Sequence, residues 1–369
     1  MYLLTVAFAA LLLSYLVYCL LIPYALVTGL VDRPDARKQH NGEIPLVGGM
    51  GVFFSVLCVG FWVFPFTPVT LSIALSSLLM VQVGMLDDKF DLSVRLRIVV
   101  QLLAASVLVY LGGIQINSLG NLFGAGDVTL GWLAGPFTIL AIMTAMNAYN
   151  MIDGIDGLLG SLSIVTFSGI AMLAAIHAQA APLLLSVLML AALLIFLTRN
   201  IGTRFSGLRK IFMGDAGSMF IGLLIVCLLA LMTVPEHLVR FGELSAAIEF
   251  GETASAVRPV AVLWLIAVPV MDMFGIMARR IMKKQSPFKP DRDHLHHIFM
   301  RAGFNSIEAL GVIILTALML MVFGLTLEAF SVPEWLSLAL YVAVFCLYLY
   351  CLRHVWRIVA WVRARRGIA

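Results

Sequence analysis

The sequence predicts an all-α polytopic membrane protein of eleven transmembrane helices, forming one integral-membrane domain over residues 1–369. Three observations carry this. Hydrophobic residues make up 62% of the chain and charged residues only 12%, with a mean hydropathy of +1.03; soluble chains carry about 25% charged residues. Eleven apolar runs approach the roughly 20 residues that a bilayer requires: 3–28, 46–64, 69–86, 95–112, 130–147, 158–177, 181–198, 214–234, 259–281, 308–328 and 333–353. Finally, all of the 24 Lys and Arg except Arg240 and Arg258 follow odd-numbered runs or lie in the C-terminal tail. Such asymmetry marks the inner face, so the N-terminus is expected outside and the C-terminus inside.

The first run has no basic residue before Arg33 and no small-residue cleavage site, so it reads as a retained span. The second and third runs meet at a short connection around Pro65 and Pro68. The third closes on Asp87-Asp88-Lys89, and the fourth and fifth flank a Gly-rich outer loop at 113–129. Two Asp-Gly steps open the sixth run, Arg199 closes the seventh, and the eighth has a polar start around Asp215. The ninth follows an outer loop at 235–258, contains Pro269 and Asp272, and ends at Arg279-Arg280; the tenth and eleventh complete the bundle. The basic tail 354–369 most simply anchors the last helix at anionic headgroups. Five cysteines sit in apolar runs with no CxxC pair, which indicates neither disulfides nor zinc. The net charge of +4 reflects orientation, and no nucleic acid partner is called for.

Charge near hydrocarbon is costly, so residues retained there are functional candidates. Four clusters qualify: Asp87-Asp88 with Asp91, Asp153 with Asp156, Asp215, and His294, His296 and His297. The predicted topology puts all four on the inner side. Adjacent aspartates are about 100° apart on a helix, so one can bind a metal while the other contacts a substrate or cation. Asp215 lies between glycines in Phe212-Met213-Gly214-Asp215-Ala216-Gly217-Ser218 and is expected as the N-cap of its helix. Hard oxygen ligands without a thiolate favour Mg²⁺ or Mn²⁺. Asn147, Asn150, Asp153 and Asp156 recur every three residues, amides and carboxylates suited to a base or sugar hydroxyls. Arg292 beside the histidines favours phosphate over zinc. Lys38 and His40 either meet an anionic lipid head or merely obey the charge rule; Asp91 either caps its helix or joins the site. Asp272 either bonds a neighbouring helix or lines the site. Together these groups fit phosphoryl transfer involving a membrane lipid. An ion-coupled transporter is the rival of another class, but it predicts midplane carboxylates and paired repeats.

Leu86-Asp87-Asp88, Asn150-Met151-Ile152-Asp153-Gly154-Ile155-Asp156-Gly157, the Asp215 stretch and His294-Leu295-His296-His297 resemble, in that order, the polyprenyl-phosphate N-acetylhexosamine-1-phosphate transferase superfamily. Ile44-Pro45-Leu46-Val47-Gly48-Gly49 and the split histidine run look like its GlcNAc-1-phosphate branch and argue against a UDP-MurNAc-pentapeptide substrate. The resemblance implies transfer of GlcNAc-1-phosphate from UDP-N-acetylglucosamine to undecaprenyl phosphate with release of UMP, at the cytoplasmic face of a bacterial inner membrane. It makes O-antigen or other surface polysaccharide synthesis the pathway. UDP-FucNAc and UDP-QuiNAc stay open as donors, and a homo-oligomer is allowed. By the same resemblance Asp88 and Asp215 hold Mg²⁺, and Asp87 lies near the lipid phosphate. Asn150, Asp153, Asp156 and Asn200 position the nucleotide-sugar, and Arg292, His294, His296 and His297 meet its diphosphate.

Overall fold

In the computed structural model the described residues are 1–33, 42–201, 208–234, 254–286 and 294–367. Among them, nine helices are long and apolar enough to cross a bilayer, and each coincides with one of the expected runs. The first three helices are α1 (Tyr2–Thr28), α2 (Gly48–Val63) and α3 (Pro68–Phe90). Next come α4 (Val94–Ser106, prolonged to Leu111 by a wider turn), α5 (Ala134–Ile152), α6 (Leu158–Ile176), α7 (Ala180–Asn200) and α8 (Gly214–Met232). The rest are α9 (Pro259–Leu265), α10 (Ala267–Met282), α11 (Leu295–Arg301), α12 (Ser306–Ala329), α13 (Glu334–Arg353) and α14 (Val355–Arg365).

Two of the eleven expected runs depart from a simple span. The second is a helix of 16 residues, about 24 Å at 1.5 Å per residue, short of a hydrocarbon core of about 30 Å. The ninth is broken into α9 and α10, bent by 80°. Pro269 is the cause, because it has no N–H for the carbonyl of Leu265. The Thr166 hydroxyl donates to that carbonyl instead, at 3.1 Å, so the break leaves no orphan there.

Helix α8 is apolar on every side and therefore occupies the centre. Every residue from Ala216 onward in it is buried, with α2, α3, α5, α6 and α7 packed around it. Close approach depends on absent side chains: a Cβ at Gly84 would run into the backbone of Ala216, and one at Gly49 into that of Gly217. A two-stranded antiparallel pair, β1 (Val31–Asp32) and β2 (Ile44–Pro45), closes the first inner loop. From it a backbone seam runs to the start of α8. Phe212 N–H donates to Pro45 O (2.9 Å), Gly48 N–H to Phe212 O (2.8 Å) and Gly49 N–H to Met213 O (2.9 Å).

Arg258, one of the two basic residues expected outside, is paired. It donates to Glu328 Oε2 at 2.7 Å and to the carbonyls of Leu327, Glu328 and Val332. The tail forms a helix, α14, that packs Val355 and Val359 on Ile298 and Ala302 of α11. The Arg279 and Arg301 guanidinium groups lie over the Trp356 ring. The tail thus clasps the histidine segment.

Candidate active site

The C-terminal end of α3 carries Asp87 and Asp88, and the helix stops at Asp91, whose φ of 51° is left-handed. Asp91 is exposed and serves as the C-cap, which settles its role as helix termination. As the helix geometry requires, the two aspartates diverge. Asp87 accepts from Leu92 N–H at 2.8 Å and from the Arg97 guanidinium at 2.8 Å. Asp88 reaches across to α8, accepting from Asp215 N–H at 2.9 Å and Ala216 N–H at 3.4 Å.

This corrects one expectation. Asp215 is not the N-cap of α8; Met213 holds that position and Asp215 lies in the first turn. The capping carboxylate comes from another helix, as Asp88 satisfies N–H groups that every helix start leaves open and faces the positive end of its dipole. Asp215 in turn accepts from Asn150 Nδ2 at 2.8 Å and from Arg97 at 3.5 Å. Asn150 also donates to Ser218 Oγ at 2.9 Å. Asn147, on the same face of α5, is engaged elsewhere, with Gln101 Oε1 and Met143 O.

Asp153 ends α5 as its C-cap. The protein walls of the cleft, then the charges of Asp215 and Asp156, push its carboxyl up to about 7. Asp156 is exposed and ion-paired with Lys210. Asn200 is buried with both ends of its amide occupied. Its Oδ1 accepts from Gly157 N–H at 2.6 Å and its Nδ2 donates to Ile211 O at 2.8 Å. Asn200 therefore joins the Asp153–Asp156 turn to the extended segment leading into Asp215.

The histidine segment meets this turn. A Cβ on Gly154 would overlap the His296 ring, so the second and fourth motifs touch. His296 is only 2% exposed, and among the described residues neither of its ring nitrogens has a hydrogen-bond partner. Burial, then the neighbouring His297 and His294, hold it down to about 3, so it stays neutral at pH 7. A buried imidazole with two unmet nitrogens is costly unless a ligand supplies the contact. The His297 ring lies against it, tilted by 44°, with ring centroids 4.1 Å apart. His294 is bonded to Asp272 at 2.9 Å. Lys38, His40 and Arg292 lie outside the described residues.

Arg97 is the site residue that sequence reading missed, having counted it only as an inner-face charge. The available signal was its position: a cation within the first turn of the helix that follows an Asp-Asp helix end. Three carboxylates, Asp87, Asp88 and Asp215, here crowd together against the Arg97 guanidinium. The excess negative charge on hard oxygens suits Mg²⁺ or Mn²⁺. Among the described residues no cage of three or more acidic, His or Cys ligands is preformed. That also fits Mg²⁺, which usually takes one or two carboxylates and completes its shell with water and substrate phosphate.

The glycosyl transferase family 4 model matches residues 70–233, a stretch that includes the Asp87-Asp88, Asp153 and Asp215 motifs. Three similar proteins are all named undecaprenyl-phosphate alpha-N-acetylglucosaminyl 1-phosphate transferase. The one from Salmonella typhimurium is 40% identical over 92% of this chain and 88% of its own. That from Escherichia coli (strain K12) is 38% identical over 91% and 87%, and that from Haemophilus influenzae 36% over 95% and 94%. With the acidic motifs assembled at one end of the bundle and this likeness running nearly end to end, the chain belongs to glycosyl transferase family 4.

Proposed function

We propose that this protein transfers GlcNAc-1-phosphate from UDP-N-acetylglucosamine to undecaprenyl phosphate, at the cytoplasmic face of a bacterial inner membrane, as an opening step of surface polysaccharide synthesis. The observation that carries this is the junction of Asp88 on α3 with the N-terminal turn of α8, beside Asp215, Asn150 and Arg97. Names of the relatives supply the two substrates.

A phosphate oxygen of the lipid attacks the β-phosphorus of the nucleotide-sugar. The bond from that phosphorus to the bridging oxygen breaks, UMP leaves with the oxygen, and undecaprenyl-diphospho-GlcNAc forms. One phosphoanhydride replaces another, so the reaction runs close to equilibrium. The lipid phosphate is already ionised at pH 7 and needs no strong base. Asp87 has both oxygens engaged, so its part is to aim Arg97 at the incoming phosphate. Asp88 and Asp215 would hold Mg²⁺ or Mn²⁺, which neutralises diphosphate charge and stabilises the leaving phosphate. Asn150 orients the Asp215 carboxylate, Asp153 and Asp156 face the nucleotide-sugar, and the N–H of the neutral His296 ring finds an acceptor in the diphosphate.

The test is to incubate the purified protein with undecaprenyl phosphate and a panel of radiolabelled UDP-sugars, measuring UMP and lipid-linked product. UDP-GlcNAc is expected to be the preferred donor. Turnover confined to UDP-FucNAc or UDP-QuiNAc would replace the sugar, and no turnover with any donor would overturn the reaction.

A further inference from the structure

We propose that Asp272 is a positioning residue that holds Nδ1–H and thereby fixes the ring orientation of His294, so that in the imidazolium form its Nε2–H is presented to the substrate diphosphate. The proposal rests on the reading above that the histidine segment receives that diphosphate. Asp272 lies within a membrane-embedded helix, α10, and is 2% exposed. Its carboxylate gathers three elements. Oδ2 meets His294 Nδ1 at 2.9 Å, while Oδ1 accepts from Leu295 N–H at 3.1 Å and from the Tyr348 hydroxyl at 2.8 Å. Leu295 is the first residue of α11 and His294 its N-cap, so one carboxylate both anchors the start of that helix and holds the ring beside it.

The chemistry of the pair determines the tautomer. An ionised carboxylate only accepts hydrogen bonds, so the hydrogen sits on Nδ1. Among the described residues Nε2 is then the ring atom left for a ligand, and the His294 ring lies parallel to that of His296, 6.2 Å away. With both ring nitrogens protonated, Nδ1–H stays on the carboxylate while Nε2–H donates to a phosphate oxygen. A carboxylate behind a histidine that faces a ligand is the arrangement that orients metal-binding and catalytic imidazoles. Here it acts from inside the bundle, on a segment that follows residues outside the described chain.

Asp272→Asn is isosteric. Its Oδ1 keeps the bonds to Leu295 N–H and Tyr348, but its amide N–H₂ faces Nδ1, so the ring loses the acceptor for Nδ1–H and cannot carry Nδ1–H and Nε2–H together in that orientation. His294→Asn keeps a donor at the Nδ1 position while deleting the Nε2 edge. With wild-type turnover of UDP-GlcNAc first established, each variant is expected to raise KM for the nucleotide-sugar about tenfold with kcat changed less than threefold, the pattern of lost diphosphate binding. The double variant is expected to be no worse than His294→Asn alone, because both act through one group. Additive losses, or an unchanged KM in a folded Asp272→Asn protein, would overturn the proposal. If Asp272→Asn does not fold, ¹⁵N spectra of histidine-labelled wild-type protein decide the matter, with the His294 signal assigned by His294→Asn. A protonated Nδ1 is expected, and an unprotonated Nδ1 refutes the pairing. Absence of UMP release from wild-type protein would instead sink the proposed reaction, while the tautomer measurement would still report on Asp272.

Discussion

Adding one methyl group at Gly154 tests whether the histidine segment must sit against the Asp153 turn. A Cβ there would lie within 3.0 Å of three atoms of the His296 ring, where ordinary contact is roughly 3.5–4.0 Å. The ring must retreat by about 1 Å, and it has nowhere free to go, being 2% exposed. A misplacement of that size in a positioning contact costs on the order of 100-fold in rate, or about 2.7 kcal/mol of transition-state stabilisation. The clash involves one side-chain tip and no backbone, so the bundle is expected to stay intact. The assay is kcat/KM for UMP release, alongside thermal unfolding and size-exclusion behaviour in detergent. Gly154→Ala is expected to lose about two orders of magnitude while eluting as wild type, and to cost nothing further in a His296→Ala background. A well-folded Gly154→Ala enzyme within threefold of wild type would refute the reasoning, because the two motifs would then be neighbours without being partners.

Other perturbations probe the rest of the site. Asp88→Asn or Asp215→Asn is expected to abolish UMP release while the protein still inserts and folds, and excess chelator should do the same to wild type. Wild-type-like turnover in both variants, or in chelator, would remove the metal site. Asn200→Ala strands the Gly157 N–H and the Ile211 carbonyl, at roughly 1–3 kcal/mol for each buried group. A clearly lower unfolding temperature is expected, and an unchanged one would show that the clamp is dispensable. Asp153 is held up to about 7, so it is largely neutral at pH 6 and ionised at pH 8. The ionised carboxylate is the form that accepts from the nucleotide-sugar, so affinity for UDP-GlcNAc should fall by up to about tenfold from pH 8 to pH 6. An affinity that is flat or rises toward acid would contradict that assignment.

The limits of sequence reading show in particular residues. Asp87, Asp88, Asp153 and Asp215 were legible because a carboxylate beside hydrocarbon survives only with a purpose. Their family order made the chemistry legible too. That Asp88 caps the helix bearing Asp215 was not legible; the cap was expected from Asp215 itself, since capping rules look only a few residues along the chain. Arg97 looked like any inner-face charge. Asn200 was expected at the substrate, and its amide is instead used up by two backbone groups. Asp272 allowed two readings until His294, Leu295 and Tyr348 were seen around it.

From the linear chain alone came the all-α class and the apolar runs, nine of which are, among the described residues, helices long and apolar enough to cross a bilayer. The bilayer enforces both locally, by span length and by the cost of moving charge. Folding in three dimensions settled which helix ends are neighbours. The seam from Pro45 through Phe212 to Gly49, the grip of Asp88 on α8 and the seat of His296 against Gly154 all join residues far apart in sequence. No period or propensity encodes such meetings. They depend on shape, on the glycines that let α3 and α2 press against α8, and on backbone groups that must find partners wherever the packed bundle brings them together.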